Sequence, residues 1–393
     1  MKMLRLVLLI SVFLCCSLLG NTGAMENSCL IPVKQLTGND SATALHSAGL
    51  LKLNAGEYVD AIKIFTQAIE ADPTMASAYL NRAQAKKQLL DYTSAIQDYN
   101  NALKLKLTWE ESYEAHFNKG LALAALQNLR GAMSDFNNAI KLNPDYADAY
   151  FNRSIIKGRI GDYPGELADI NKVIEIRPND PFAYNSRGIA RSMMGDFNNA
   201  MKDFNKSIEL DQNHADAYFN RGLIYYDMQK YRESLNDFTA ALQIKPDAEI
   251  HNRRANVRCR LNDLKGAFDD YSAAIKLQPQ YYVAYLNRGL LKYDLKDYES
   301  AIDDYDKAID LKPDYAFAYY SRGQAKNKLE DSKGEITDYS LAIEYDPEYE
   351  NAFKDRGLAR YKSGDKIGGC NDLNQAVKLG SDAAYSSLIQ FCK

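Results

Sequence analysis

Nine basic residues are each followed, sixteen positions on, by an aspartate. The pairs are Arg82 and Asp98, Lys119 and Asp135, Arg153 and Asp169, Arg187 and Asp203, Arg221 and Asp237, Arg254 and Asp270, Arg288 and Asp304, Arg322 and Asp338, and Arg356 and Asp372. A guanidinium and a carboxylate can lock together bidentately, and recurrence at fixed spacing predicts a ladder of structural ion pairs rather than an active site. An amide precedes several of the bases: Asn81, Asn118, Asn152, Asn220 and Asn287, with Ser47, Ser186 and Ser321 in the same role elsewhere. A carboxamide both donates and accepts, so a row of them suits the backbone of an extended peptide. The four histidines, His46, His116, His214 and His251, are scattered and read as packing residues. There is no glycine-rich phosphate loop, no H-E-x-x-H and no G-x-S-x-G elbow. The sequence therefore predicts no catalytic residue, no cofactor site and no metal site. Acid pairs such as Asp269-Asp270 and Asp303-Asp304 recur with the spacing and read as solvated helix faces.

These residues sit inside a repeated motif. AYFNRG at residues 217–222 recurs closely as AYLNRA (78–83), AYFNRS (149–154), AYLNRG (284–289) and AYYSRG (318–323). Aligned on proline, the chain divides into ten repeats of about 34 residues, starting near Ala42, Ala76, Tyr113, Ala147, Pro181, Ala215, Ala248, Tyr282, Ala316 and Glu350. The fourth place is usually aromatic, as in Tyr150 and Tyr218, and the eighth small, as in Gly188 and Gly222. One helical turn separates them, so a small residue there lets a second helix approach closely. A turn such as Gly161-Asp162 follows, then a second apolar stripe, exemplified by Ala301, Tyr305 and Ala308. Proline closes seven repeats. At ~100° per residue, the base at the seventh place lies about 60° from the aromatic stripe and the asparagine about 200° away. The base belongs to the edge of the core and the asparagine to the opposite face.

This pattern resembles the tetratricopeptide repeat family over residues 42–381. The resemblance implies an all-α, right-handed α-solenoid of about ten helix-turn-helix repeats, closed by a capping helix over residues 382–393. It also implies that the asparagine face lines a concave groove for a protein or peptide. Phe117, Phe151, Phe219, Tyr226, Tyr293, Tyr320 and Tyr361 fall near that face, as ligand anchors or as packing between neighbouring helices. Lysines and asparagines for a carboxylate clamp occur only as scattered matches such as Asn81 and Lys354. Local departures are Glu166 and Glu335 at the small twentieth place, where looser packing is expected, and irregular spacing around Trp109, expected to fall between helices.

The chain has 393 residues and a formal net charge of −4, with no basic run. Binding to a nucleic-acid backbone draws on clustered lysine and arginine, so that partner class is disfavoured. Residues 1–24 carry Lys2 and Arg5, an apolar stretch from Leu6 to Leu19 and the small residues Thr22-Gly23-Ala24, which predicts a cleaved export signal. The apolar stretch is too short to span a bilayer, so no membrane span is expected after cleavage. Residues 25–41 are expected to be a linker, with Asp40 or Ser41 capping the first helix. Four cysteines remain beyond residue 24, none in a C-x-x-C pair. The end of the chain resembles that of exported bacterial members of the family, which implies a Cys370 to Cys392 disulfide pinning the cap in an oxidising compartment, or else two buried thiols. Cys259 reads as a small buried apolar residue. The expected function is an exported, periplasmic or secreted interaction scaffold binding a protein or extended peptide, or an accessory subunit that docks substrates for a partner enzyme. Self-association is compatible with either.

Overall fold

A computed structural model describes residues 38–392, of which 38–40 are described by backbone only. The expected signal, residues 25–37 and Cys29 lie outside them. Among the described residues there are 21 helices and no strands, an all-α solenoid of helix-turn-helix repeats. They fall into two compact bodies. Residues 38–107 hold α1 (Gly38–Asn54), α2 (Tyr58–Ala71), α3 (Ala76–Gln88) and α4 (Tyr92–Ala102). The first helix already begins at Gly38, so Asp40 and Ser41 lie inside it rather than at its cap.

Residues 108–392 hold the other eight repeats. Their helix pairs are α5 (Trp109–Ala125) with α6 (Leu129–Leu142), α7 (Ala147–Arg159) with α8 (Tyr163–Ile176), and α9 (Pro181–Met193) with α10 (Phe197–Leu210). Next come α11 (Ala215–Asp227) with α12 (Tyr231–Ile244), α13 (Ala248–Arg260) with α14 (Leu264–Leu277), and α15 (Tyr282–Asp294) with α16 (Tyr298–Leu311). The last are α17 (Ala316–Lys328) with α18 (Ser332–Tyr345), α19 (Glu350–Lys362) with α20 (Lys366–Lys378), and the final helix α21 (Asp382–Phe391). Within each body every second helix packs on its own first helix and on the first helix of the next repeat. No described helix is long and apolar enough to cross a membrane.

Local chemistry sets each helix end. The residue between paired helices takes left-handed backbone angles in every repeat. Glycine does so at Gly56, Gly161, Gly195 and Gly364, but Leu90, Gln127, Gln229, Asn262, Lys296 and Glu330 do so with φ between 60° and 65°. In eight repeats the next residue caps the second helix with its side chain, Glu57 and Lys230 being the exceptions: Asp162 accepts from the Gly165 N–H, and Asp91, Asn128, Asp196, Asp263, Asp297, Asp331 and Asp365 act alike. The close approach expected at the eighth place is real. A Cβ on Gly188 would stand 2.6 Å from Cε1 of the buried Phe204 ring, so only hydrogen fits.

Two expectations are corrected. The irregular spacing near Trp109 is not loop. Thr108 and Glu111 form a capping box that starts α5 at Trp109, giving it 17 residues, while α4 is cut to 11. Trp109 is the first residue of that longer helix, and its Nε1 donates to the Leu142 carbonyl at 2.7 Å. Nor do Glu166 and Glu335 loosen the packing. Each long side chain is matched at the twelfth place of its own repeat: Glu335 accepts from Asn327 Nδ2 at 2.5 Å, and Glu166 lies over Gly158. A Cβ added to Gly158 would stand 2.5 Å from Glu166 Oε2.

Candidate functional site

The seventh-place arginines carry a three-way bridge. In residues 38–107, Arg82 holds Asp98 with two bonds, Nε to Oδ2 at 2.9 Å and Nη2 to Oδ1 at 2.7 Å, and its Nη1 donates to Thr66 Oγ1 of the preceding repeat at 2.9 Å. In the second body Arg153, Arg187, Arg221, Arg254, Arg288, Arg322 and Arg356 bind Asp169, Asp203, Asp237, Asp270, Asp304, Asp338 and Asp372 in the same way. Their remaining Nη1 reaches back to the preceding second helix: Arg187 to Asn171 at 3.0 Å, Arg221 to Asn205 at 2.7 Å, Arg288 to Ser272 at 3.0 Å, Arg356 to Ser340 at 3.1 Å. Arg322 reaches a carboxylate there, Asp306, and the two acids together raise its pKa against the effect of burial. Apart from Arg254, whose fourth place is His251, each arginine also lies over the fourth-place ring one turn earlier, Arg187 at 5.2 Å from the Tyr184 centroid.

Most of the aspartates take a second cation, at the eleventh place. Lys86, Lys157, Arg191, Arg258, Lys292, Lys326 and Arg360 do this at 2.6 to 2.9 Å. The expectation that His116 and His251 merely pack is corrected as well. Each turns Nδ1 onto the ladder acid, His116 to Asp135 at 2.7 Å, where Lys119 also pairs at 3.0 Å, and His251 to Asp270 at 2.8 Å. Burial pushes the Asp270 carboxyl up, but the bonds from His251 and Arg254 outweigh it and leave its pKa lowered. With their oxygens occupied by donors, these buried carboxylates form a framework.

The sixth-place asparagines divide by what precedes them. Asn220 Nδ2 donates to Asn185 Oδ1 at 3.1 Å and Asn287 Nδ2 to Asn252 Oδ1 at 2.9 Å. In the first body Asn81 Nδ2 meets His46 Nε2 at 2.9 Å. Each contact spans 35 residues, from the sixth place of one repeat to the fifth of the one before, and Tyr320 uses the same link to reach Asp355 at 2.8 Å. Where the preceding fifth place is Phe117, the amide turns back: Asn152 donates to the Asp148 carbonyl at 2.8 Å. Asn118 likewise donates to the Glu114 carbonyl at 3.0 Å. Asn185 and Asn252, which sequence reasoning passed over, are therefore as much part of the row as its members. The signal was a polar residue at the fifth place, where phenylalanine or leucine otherwise stands.

The seven aromatics are half-buried or buried, and they pack. Phe117 lies against Phe136 and Tyr146, Phe219 against Phe238, Tyr226 against Tyr231, Tyr293 against Tyr298, and Tyr361 against Phe391. Phe151 joins the cluster of Ala147, Ile170, Val173 and Ala183, and Tyr320 is 8% exposed. The alternative of packing between helices describes them, and the more exposed first-helix aromatics are instead Trp109, Phe182 and Phe317. At the chain end the Cys370 and Cys392 sulfurs stand at bonding distance, 2.00 Å, with Cα atoms 5.7 Å apart. Cys259 is half-buried beside the Tyr271 hydroxyl. Among the described residues no group of three or more His, Cys, Asp or Glu side chains is placed to hold a metal ion.

Models described as "TPR repeat" match residues 193–229 and 289–330, and others described as "Tetratricopeptide repeat" match 46–86, 76–108, 113–146 and 215–247. "Tetratricopeptide repeat protein 36 homolog" of Nematostella vectensis is 37% identical over 77 residues, 19% of this chain and 42% of that protein. "Protein SGT1 homolog" of Oryza sativa subsp. japonica is 36% identical over 73 residues, 19% of this chain and 20% of that protein. The chain thus spans less than half the length of these curated relatives. A tetratricopeptide repeat protein from Parabacteroides merdae superposes with a TM-score of 0.52 over 64% of this chain and 99% of that one, at 18% identity. The APC/C hetero-tetramer Cut9-Hcn1 superposes with a TM-score of 0.50 over 91% and 84%, at 14% identity. Repeat pattern, paired helices and matched models together place the chain in the tetratricopeptide repeat family.

Proposed function

We propose that this chain is an exported, non-enzymatic scaffold that holds a protein or extended peptide along the first-helix faces of its repeats. The family fold supports protein interaction in general. The observation that carries the finer reading is the orientation of Asn118 and Asn152. Each donates an amide N–H to a carbonyl of its own helix, and a carboxamide oxygen is an acceptor suited to a peptide N–H. Asn220 and Asn287 serve a different purpose, tying neighbouring repeats together.

The test separates the two sets. Partners are recovered from the native envelope fraction with wild type, with Asn118→Ala and Asn152→Ala combined, and with Asn220→Ala and Asn287→Ala combined. The first pair is expected to lose partners at unchanged melting temperature, and the second to melt lower. Unaltered recovery with the first pair would sink the reading. The residues 1–24 pattern supports export, and the Cys370 to Cys392 spacing supports a disulfide that forms there. Thiol blocking of the native exported protein without reductant, read by mass spectrometry, checks both: alkylation of the two cysteines would exclude the bond. Co-purification of a stoichiometric enzyme would favour the second reading, an accessory subunit that docks substrates.

A further inference from the structure

Eight of the ten repeats carry alanine, serine or glycine at the twentieth place, and two carry glutamate, Glu166 and Glu335. Both carboxylates are buried, at 9% and 4% exposure, and both point at the twelfth place of their own first helix. Glu335 finds a donor there, the Asn327 carboxamide at 2.5 Å. Glu166 finds Gly158, which has nothing to give.

In other repeats the twelfth place is filled by Tyr226, Tyr293 and Tyr361, which the family resemblance puts near the groove face. In repeats 3 to 5 it is occupied by Ala124, Gly158 and Ser192 in turn, so the floor is low and the Glu166 carboxylate stands where a side chain would begin. Among the described residues no lysine or arginine pairs with it. Lys157, the neighbour of Gly158, is turned away to Asp169 at 2.8 Å and to the Gly165 carbonyl at 3.3 Å. The charge that Glu166 does feel is another carboxylate, Asp162, and burial together with that repulsion pushes its pKa up to about 7. A buried carboxylate without a donor costs stability that the alanine of other repeats would not.

We propose that repeats 3 to 5 hold a subsite for one basic side chain, lysine or arginine, of a peptide lying along the first helices, seated over Gly158 and paired with Glu166. The ligand's ammonium or guanidinium would supply from outside the donor that Asn327 supplies to Glu335 from within. This rests on the groove reading above and names the chemistry of its partner.

The probes are fluorescent ten-residue peptides of alanine, serine and leucine carrying one central lysine, arginine or norleucine, titrated onto the full chain. Wild type is expected to prefer the basic peptides by roughly tenfold, the scale of one hydrogen-bonded charge. Glu166→Ala installs the residue of the other repeats, so it folds, and it should bind lysine and norleucine peptides equally. Gly158→Asn rebuilds the Asn327 arrangement and should abolish the preference while raising the melting temperature. Equal binding of lysine and norleucine peptides by wild type, or a preference that survives in Glu166→Ala, overturns the subsite and leaves the groove reading standing. Binding of no peptide by wild type overturns both.

Discussion

Arg221 shows most simply what a ladder arginine does, because among the described residues its partner Asp237 takes no second cation; the eleventh place of that repeat is Tyr225. Arg221→Ala strands a buried carboxylate and is expected to cost about 3–5 kcal/mol in urea unfolding. Changing Asp237→Ile as well copies the Ala48 and Ile64 pair of the first repeat, and should restore most of that loss. Glu166 gives a pH signature of opposite sense to a paired carboxylate. Its folded pKa, about 7, lies above the ordinary value of 4.5. Its protonated form is therefore favoured in the fold, and stability present below the ordinary value is lost as pH rises toward 7. Replacing it by alanine should leave melting nearly unchanged at pH 4.5 and raise stability by on the order of 3 kcal/mol above pH 7. The ion pairs were legible in the sequence because both partners keep one register. The fifth-to-sixth-place amide links were not, because they depend on the offset between neighbouring repeats. That offset cannot be read from the period within one.

Each helix pair is a copy of one design, so the copies act as controls for one another. Six repeats force a side chain into left-handed backbone where four use glycine. Gln229→Gly and Glu330→Gly should each stabilise the protein by about 0.5–1 kcal/mol, the left-handed penalty less the extra freedom of glycine when unfolded. Thermal melts of single and double variants check this, and additivity is expected because the two turns share no partner. Element boundaries were readable from the period except at α5. Aligning on proline slides over the extra turn there, since Leu107 stands where proline would and the capping box begins one residue later.

At the scale of the molecule, stability in a repeat array is a sum of repeats and of nearest-neighbour interfaces. The final helix is held lightly: Ala384 is its one buried apolar residue, and Tyr385 and Ile389 are exposed. The disulfide proposed between Cys370 and Cys392 would, on opening, cost about 3 kcal/mol, appropriate to a sequence separation of 22. Hydrogen exchange with and without reductant reads this directly, with faster exchange in α20 and α21 and none added in α9 to α12. Two families of the inter-repeat bonds described above share a direction. The third guanidinium bond and the Asn220 and Asn287 amide bonds all run from a later repeat to an earlier one. During synthesis each repeat that leaves the ribosome therefore meets acceptors already folded ahead of it. The array can lengthen one repeat at a time, each new helix pair closing its own arginine–aspartate bridge while the third guanidinium bond finds its acceptor in the repeat before.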